Sequence, residues 1–260
     1  MSDVPPIVLT VAGSDPSGGA GLQSDLKTIH QHGAYGVAVP TLITVQSTVE
    51  VLQVELLSPD LVRAQLGALL GDILPAAAKT GALGSPTVAH ILGSFMEETT
   101  FPWVVDPVWL PTRGRPLAML TPNAQEAALL AEVPVRTLDD ARGAAERIAG
   151  LGASAVLITG GHLEGASRGT DLLLYEGEVT EFPVAELIPG RFHGTGCALS
   201  AAIATRLGFT GPPDRGPGGQ GVARRVACAC LLSRQRCPAR ESFLAFERET
   251  LALIEVLQTL

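Results

Sequence analysis

Short apolar runs rich in valine, isoleucine and leucine recur along this chain and alternate with stretches whose apolar residues repeat at helical spacing. That alternation constrains the fold more than any other feature. Continuous apolar runs read as strands buried on both faces, and intervening helices supply the crossovers that parallel strands require. Strands are expected at 7–12, 36–45, 51–56, 76–80, 101–106, 118–121, 154–159 and 170–175. Helices are expected at 21–32, 58–71, 86–97, 123–132, 137–150, 197–207, 221–235 and 241–258. Ser58-Pro59-Asp60 and Thr137-Leu138-Asp139-Asp140 are helix starts, each with a capping hydroxyl followed by early acids. Residues 36–56 hold two strands with no room for a helix, which points to a local antiparallel piece. The expectation is an α/β fold with a mainly parallel sheet covered on both faces. The 260 residues suit one domain.

Chemistry concentrates where these strands end. The first strand runs into Gly13-Ser14-Asp15-Pro16-Ser17-Gly18-Gly19-Ala20-Gly21, and a helix carrying Asp25 follows. An open α/β sheet binds its ligands beyond the carboxyl ends of its strands. This loop is neither GxGxxG nor a P-loop, so motif alone does not make it a dinucleotide site. Gln46 ends the second apolar strand, and Asp106 ends Trp103-Val104-Val105 just before Pro107. Asn123 and Glu126 are three apart after Thr121-Pro122, a spacing that serves a ligand or a capping box equally well. Gly160-Gly161-His162 follows a further strand.

His193-Gly194-Thr195-Gly196-Cys197-Ala198 leads into an Ala/Leu/Ile-rich helix. Glycines before a helix N-terminus make an anion site, because unpaired N–H groups and the macrodipole face the same way. Cys197 in the first turn is expected to have its thiolate favoured there, as a nucleophile, base or polar anchor. The same letters also describe a closely packed helix start with a buried cysteine.

The net charge of −8 argues against nucleic acid or an anionic membrane as partner. No basic region precedes an apolar stretch at the N-terminus, and no apolar run is long enough to span a bilayer, so a cytoplasmic protein is expected. Cys197, Cys228, Cys230 and Cys237 form no CxxC pair, which fits neither zinc nor a disulfide framework. Lys27 and Lys79 are the only lysines. Residues 211–221 (GPPDRGPGGQG) are of low complexity and read as a loop between two helices.

Taken in order, AGSDPSGGAGLQSDLKT (12–28), KTGALG (79–84), DPV (106–108), TPNAQEA (121–127), GGH (160–162) and HGTGCALSAAIA (193–204) resemble the hydroxymethylpyrimidine/phosphomethylpyrimidine kinases of thiamine biosynthesis, in the ribokinase-like superfamily. The resemblance covers residues 7 to about 207. It implies a three-layer α/β/α sandwich, ATP and Mg²⁺ as cofactors, a small pyrimidine substrate and a homodimer. It further implies pyrimidine contacts from Gly13, Asp25, Gln46 and Val108, and a nucleotide side built from Asp106, Asn123, Glu126 and Gly161, with Asp106 and Glu126 at the metal. Gly194, Thr195 and Gly196 match the anion hole, and Cys197 stands where many relatives carry a catalytic aspartate, as base or positioner of the substrate hydroxyl.

Three departures stand out. The 109–120 segment is short for the family, Thr159 replaces the usual lysine before Gly-Gly-His, and Ser47 replaces an asparagine. Beyond about residue 210 the likeness fades. Arg113 or Arg115 could replace the missing phosphate contacts. Two alternatives follow, a pyridoxal/pyridoxine kinase and a catalytically weak homologue that only binds the pyrimidine.

Overall fold

The computed structural model describes residues 4–107, 117–183 and 194–210. Val108, Arg113, Arg115, His193, the three cysteines after Cys197, the 211–221 loop and the helices expected at 221–235 and 241–258 lie outside the described residues.

Nine strands form one sheet in the order β3-β2-β1-β4-β5-β6-β7-β8-β9. They are β1 (Ile7–Ser14), β2 (Tyr35–Gln46), β3 (Val51–Leu56), β4 (Ala77–Thr80), β5 (Trp103–Val105), β6 (Leu117–Leu120), β7 (Ala155–Ile158), β8 (Asp171–Tyr175) and β9 (Glu178–Phe182). The strands from β2 through β7 in that order pair in parallel. The β2–β3 pair is antiparallel, as the missing crossover required, and so are β7–β8 and β8–β9. The chain winds outward from β1 through β2 to β3, then returns to β4 on the other side of β1. That reversal opens a crevice between β1 and β4, where an open sheet holds its ligand.

Helices cover both faces, giving three layers. On one side lie α2 (Pro59–Asp72), α3 (Pro86–Glu98), α4 (Ala124–Ala131) and α5 (Leu138–Gly150), over an apolar core that includes Leu9, Val11, Trp103, Val105 and Ile158. Ser58, Ser85, Asn123 and Thr137 cap these four helices with their own side chains, and α2 and α3 also carry proline in the first turn. On the other side lie α1 (Gly21–Gln31) and α6 (Thr195–Thr210). Their core includes Val8, Ile29, Val104, Leu157 and Ile203.

The expected elements within the described residues are all present, with ends shifted by a few residues. β9 was not expected. It is a half-exposed edge strand, so it lacks the apolar run that marks a buried one.

Candidate functional site

The site grows from the sheet register. Thr10 on β1 pairs directly with Lys79 on β4, and Lys79 pairs with Val104 on β5. Side chains in such a row share a face, and Val104 belongs to the α1/α6 core. Asp106 lies two residues past Val104, so it points the same way. Polar groups from three adjacent strand ends therefore converge under α1 and α6.

Asp25, on the second turn of α1, is wholly buried with both oxygens engaged. Lys79 Nζ donates to Oδ1 at 3.0 Å and to Oδ2 at 2.9 Å, and the Thr10 hydroxyl donates to Oδ2 at 2.6 Å. Lys79 is also fully buried. Burial alone would push its ammonium down, but Asp25, Cys197 and Asp106 together outweigh burial and hold it above the ordinary lysine value. Sequence reasoning placed Asp25 and missed its partner. The signal was available: a charged residue inside the strand Ala77–Thr80 needs an opposite charge.

Asp106 is buried and receives the Ser200 hydroxyl from α6 at 3.3 Å. Burial raises its pKa above the usual carboxylate value, with Lys79 working in the opposite direction. Gly196 stands beside it; a Cβ there would lie 4.0 Å from Asp106 Oδ2.

Cys197 departs from expectation. Its thiol is pushed up to about 11, first by burial, then against the pull of Lys79 by the carboxylates of Asp106 and Asp25. Placement at a helix start does not win here, because the sulfur of the half-buried Cys197 is itself desolvated and the carboxylates of Asp106 and Asp25 repel a thiolate. At neutral pH Cys197 is a thiol, which overturns the expectation of a thiolate favoured by the helix end.

The opening glycine loop and the last one touch. Gly194 has φ +82°, and a Cβ on it would collide with the Gly19 carbonyl. Gly21 has φ +58°, and a Cβ there would collide with the Gly13 carbonyl. Only glycine satisfies both demands at both places. Within the loop, Asp15 is buried and its carboxylate accepts from the amides of Ser17 and Ala20, at 2.8 and 2.9 Å, and from the Ser17 hydroxyl at 2.9 Å. Lys27 ties to the Gly18 carbonyl at 3.0 Å. Lys79 is thus held in the interior, while Lys27 rests at the surface of the glycine loop.

The remaining expected residues sit further out. Asn123 caps α4 through Oδ1, and Glu126 Oε2 accepts the Asn123 amide at 2.8 Å, so the capping box is real. The Glu126 carboxyl is raised above its usual value by burial and, among lesser causes, by the charge of Asp106. Two carboxylates close enough to feel each other's charge, one just past β5 and one in the first turn of α4, suit a hard divalent ion that keeps several waters. Asp106 and Glu126 therefore fit magnesium by their donor chemistry.

Gly161 is exposed on the turn Gly160–His162, with open space around it. That turn is pinned by Gly160, whose amide donates to Asp171 at 2.7 Å and whose α-carbon abuts the Thr170 backbone. Gln46 ends β2, half-buried, where the β2–β3 pairing slips register. It lies on the antiparallel arm that β2 forms with β3. Among the described residues no three His, Cys, Asp or Glu side chains gather as a metal cluster, and no helix is long and apolar enough to cross a membrane.

Comparison with known proteins agrees with this geometry. The family model described as phosphomethylpyrimidine kinase matches residues 15–213. A hydroxymethylpyrimidine/phosphomethylpyrimidine kinase of Mycobacterium tuberculosis is 35% identical, over 92% of this chain and 94% of that protein. One from Salmonella typhimurium is 37% identical, over 75% and 80%. The crystal structure of a phosphomethylpyrimidine kinase from Clostridium difficile superposes with a TM-score of 0.70 at 30% identity, covering 88% of this chain and 99% of that one. A Staphylococcus aureus pyridoxal kinase, solved with AMP-PCP and pyridoxal, gives 0.76 at 28% identity, covering 92% of each chain. The scaffold is thus the ribokinase-like one that both kinds of kinase share, and the sequence assigns the branch: this chain is a kinase of the phosphomethylpyrimidine kinase family.

Proposed function

We propose that this kinase transfers phosphate from ATP to the hydroxymethyl group of 4-amino-5-hydroxymethyl-2-methylpyrimidine and then to the resulting monophosphate. The observation that carries the reading is the contact between the two glycine loops over the β1/β4 crevice. Gly194 abuts Gly19 there, Gly196 and Cys197 stand beside Asp106, and α1 with Asp25 forms the other flank. The amides that open α6 face charge developing on the transferred phosphoryl group.

Gly13, Asp25 and Gln46 are assigned to the pyrimidine side, with Val108 as a contact from sequence alone. Asn123, Glu126, Gly161 and Asp106 are assigned to the nucleotide side, with Asp106 and Glu126 at the metal. Bound there, magnesium would supply positive charge to offset that of the donor phosphates, and Asp106 and Glu126 would be the residues that hold it. Cys197 holds the substrate hydroxyl in line. Its role is positioning because a thiol held near pH 11 offers little thiolate at neutral pH, and a loose phosphoryl-transfer transition state asks little of a base.

We also assign this chain to a homodimer in the cytoplasm. The arm formed by β2 and β3 exposes Ile43, Val45, Val51, Leu52, Val54 and Leu56, an apolar surface of the kind that marks an interface. Vitamin B6 compounds remain the second reading, because the pyridoxal kinase scaffold superposes as well. Competition separates the two: turnover of the pyrimidine, with excess pyridoxal neither consumed nor inhibitory, supports the pyrimidine assignment. Preferential phosphorylation of pyridoxal overturns it.

A further inference from the structure

Lys79 is costly where it stands. Its ammonium and the Asp25 carboxylate are both without solvent exposure, and the Thr10 hydroxyl completes the group. Desolvating two charges generally cancels their attraction, so an apolar pair of similar size would hold the fold as well or better. The surroundings nevertheless accommodate the lysine specifically. A Cβ on Gly81 would lie 2.9 Å from Lys79 Nζ and 2.9 Å from the Ala12 side chain, so glycine leaves the ammonium its space. Register does the rest, placing Thr10 and Lys79 side by side under Asp25.

Two of the three ammonium N–H groups go to the two oxygens of one carboxylate. Together with the Thr10 hydroxyl they fix the Asp25 plane in a single orientation. The charge of Lys79 is also felt by Asp106 and Cys197, on the flank where the phosphoryl group arrives.

We propose that Lys79 is a positioning residue for phosphoryl transfer: with Thr10 it locks the buried Asp25, and through it fixes α1 and the glycine loop before it, which flank the pyrimidine. The inference rests on the pyrimidine-kinase reading. It assigns the pair to substrate placement and separates that task from stability.

The test is the double variant Lys79→Met/Asp25→Asn, which removes both charges while keeping size. A pair that only supports the fold would leave turnover intact once neither charge is stranded. We expect a melting temperature at or above that of Lys79→Met alone, a KM for the pyrimidine raised about tenfold or more, and a KM for ATP within about twofold of native, as befits loosened placement of the substrate-side elements alone. Native-like kinetics in a folded double variant overturn the proposal, and so does a rise confined to the KM for ATP. If the double variant does not fold, Thr10→Val decides. It deletes one donor to Asp25, and an unchanged pyrimidine KM overturns the proposal. Absence of turnover in the native protein overturns the kinase reading itself, which keeps the two failures distinct.

Discussion

The two faces of the sheet were built under different rules. Under α2 to α5 the core is largely apolar, and each helix begins with its own capping side chain. Under α1 and α6 the core carries Asp25, Lys79, Asp106 and Ser200, and α1 begins at Ala20 with no side-chain cap. In place of a local cap, Asp15 reaches across the glycine loop to the Ala20 amide. Local sequence thus builds the first face and long-range pairing builds the second. The physical lesson is that stability and function are divided between the layers. The apolar face holds the sheet together, and the charged face accepts the expense of buried polarity to place reacting groups.

That division is best broken by perturbing each face and reading both stability and turnover. The largest effect is expected for Lys79→Met alone, which strands the buried Asp25 charge. Denaturant unfolding should show a loss of about 3–5 kcal/mol, with turnover largely gone. A small loss would mean that water reaches Asp25. On the opposite face, Leu92→Ala should cost about 2–5 kcal/mol while kcat, measured well below the melting temperature, stays near native. A matching fall in kcat would erase the distinction between the faces.

Cys197→Ala should reverse that profile. Turnover falls about 100-fold from loss of hydroxyl alignment, while calorimetry finds pyrimidine binding mostly kept. Unchanged turnover removes Cys197 from the reaction. Ser58→Ala sits at the quiet end of the apolar face and should cost about 1 kcal/mol, with no kinetic effect.

The most gradual effect is a pH dependence on the charged face. His32, just past α1, has its pKa lowered from 6.5 to about 4, first by burial and then by Arg206. Between pH 6.5 and 4 the unfolded chain therefore binds the proton that the folded chain refuses, so stability falls as pH drops through that window. His32→Gln should flatten that slope, and an unchanged slope would assign the acid sensitivity to other groups.

The same division explains what could be read in advance. Ser58-Pro59-Asp60 and Thr137 to Asp140 announced their helices because a cap and its helix are neighbours in the chain. The strands announced themselves wherever both faces are buried; β9 did not, since Glu178–Phe182 alternates at a half-exposed edge. The glycine loops were legible as ligand-facing, though not their collision at Gly19 and Gly194, which depends on how α6 returns to α1. Asp25 and Lys79 are 54 residues apart, and only the Thr10–Lys79 register brings the second beneath the first. The thiol of Cys197 was misjudged because helix position is local, whereas the carboxylates that repel its thiolate come from α1 and from the end of β5.

The most direct measurement is an incubation of the native protein with the hydroxymethylpyrimidine, ATP and magnesium, followed by separation of the mono- and diphosphate. The account predicts both products, the monophosphate appearing first and then converting to the diphosphate, despite threonine at position 159. Bound pyrimidine with neither product formed would contradict it, leaving a family member that recognises the ring without transferring phosphate.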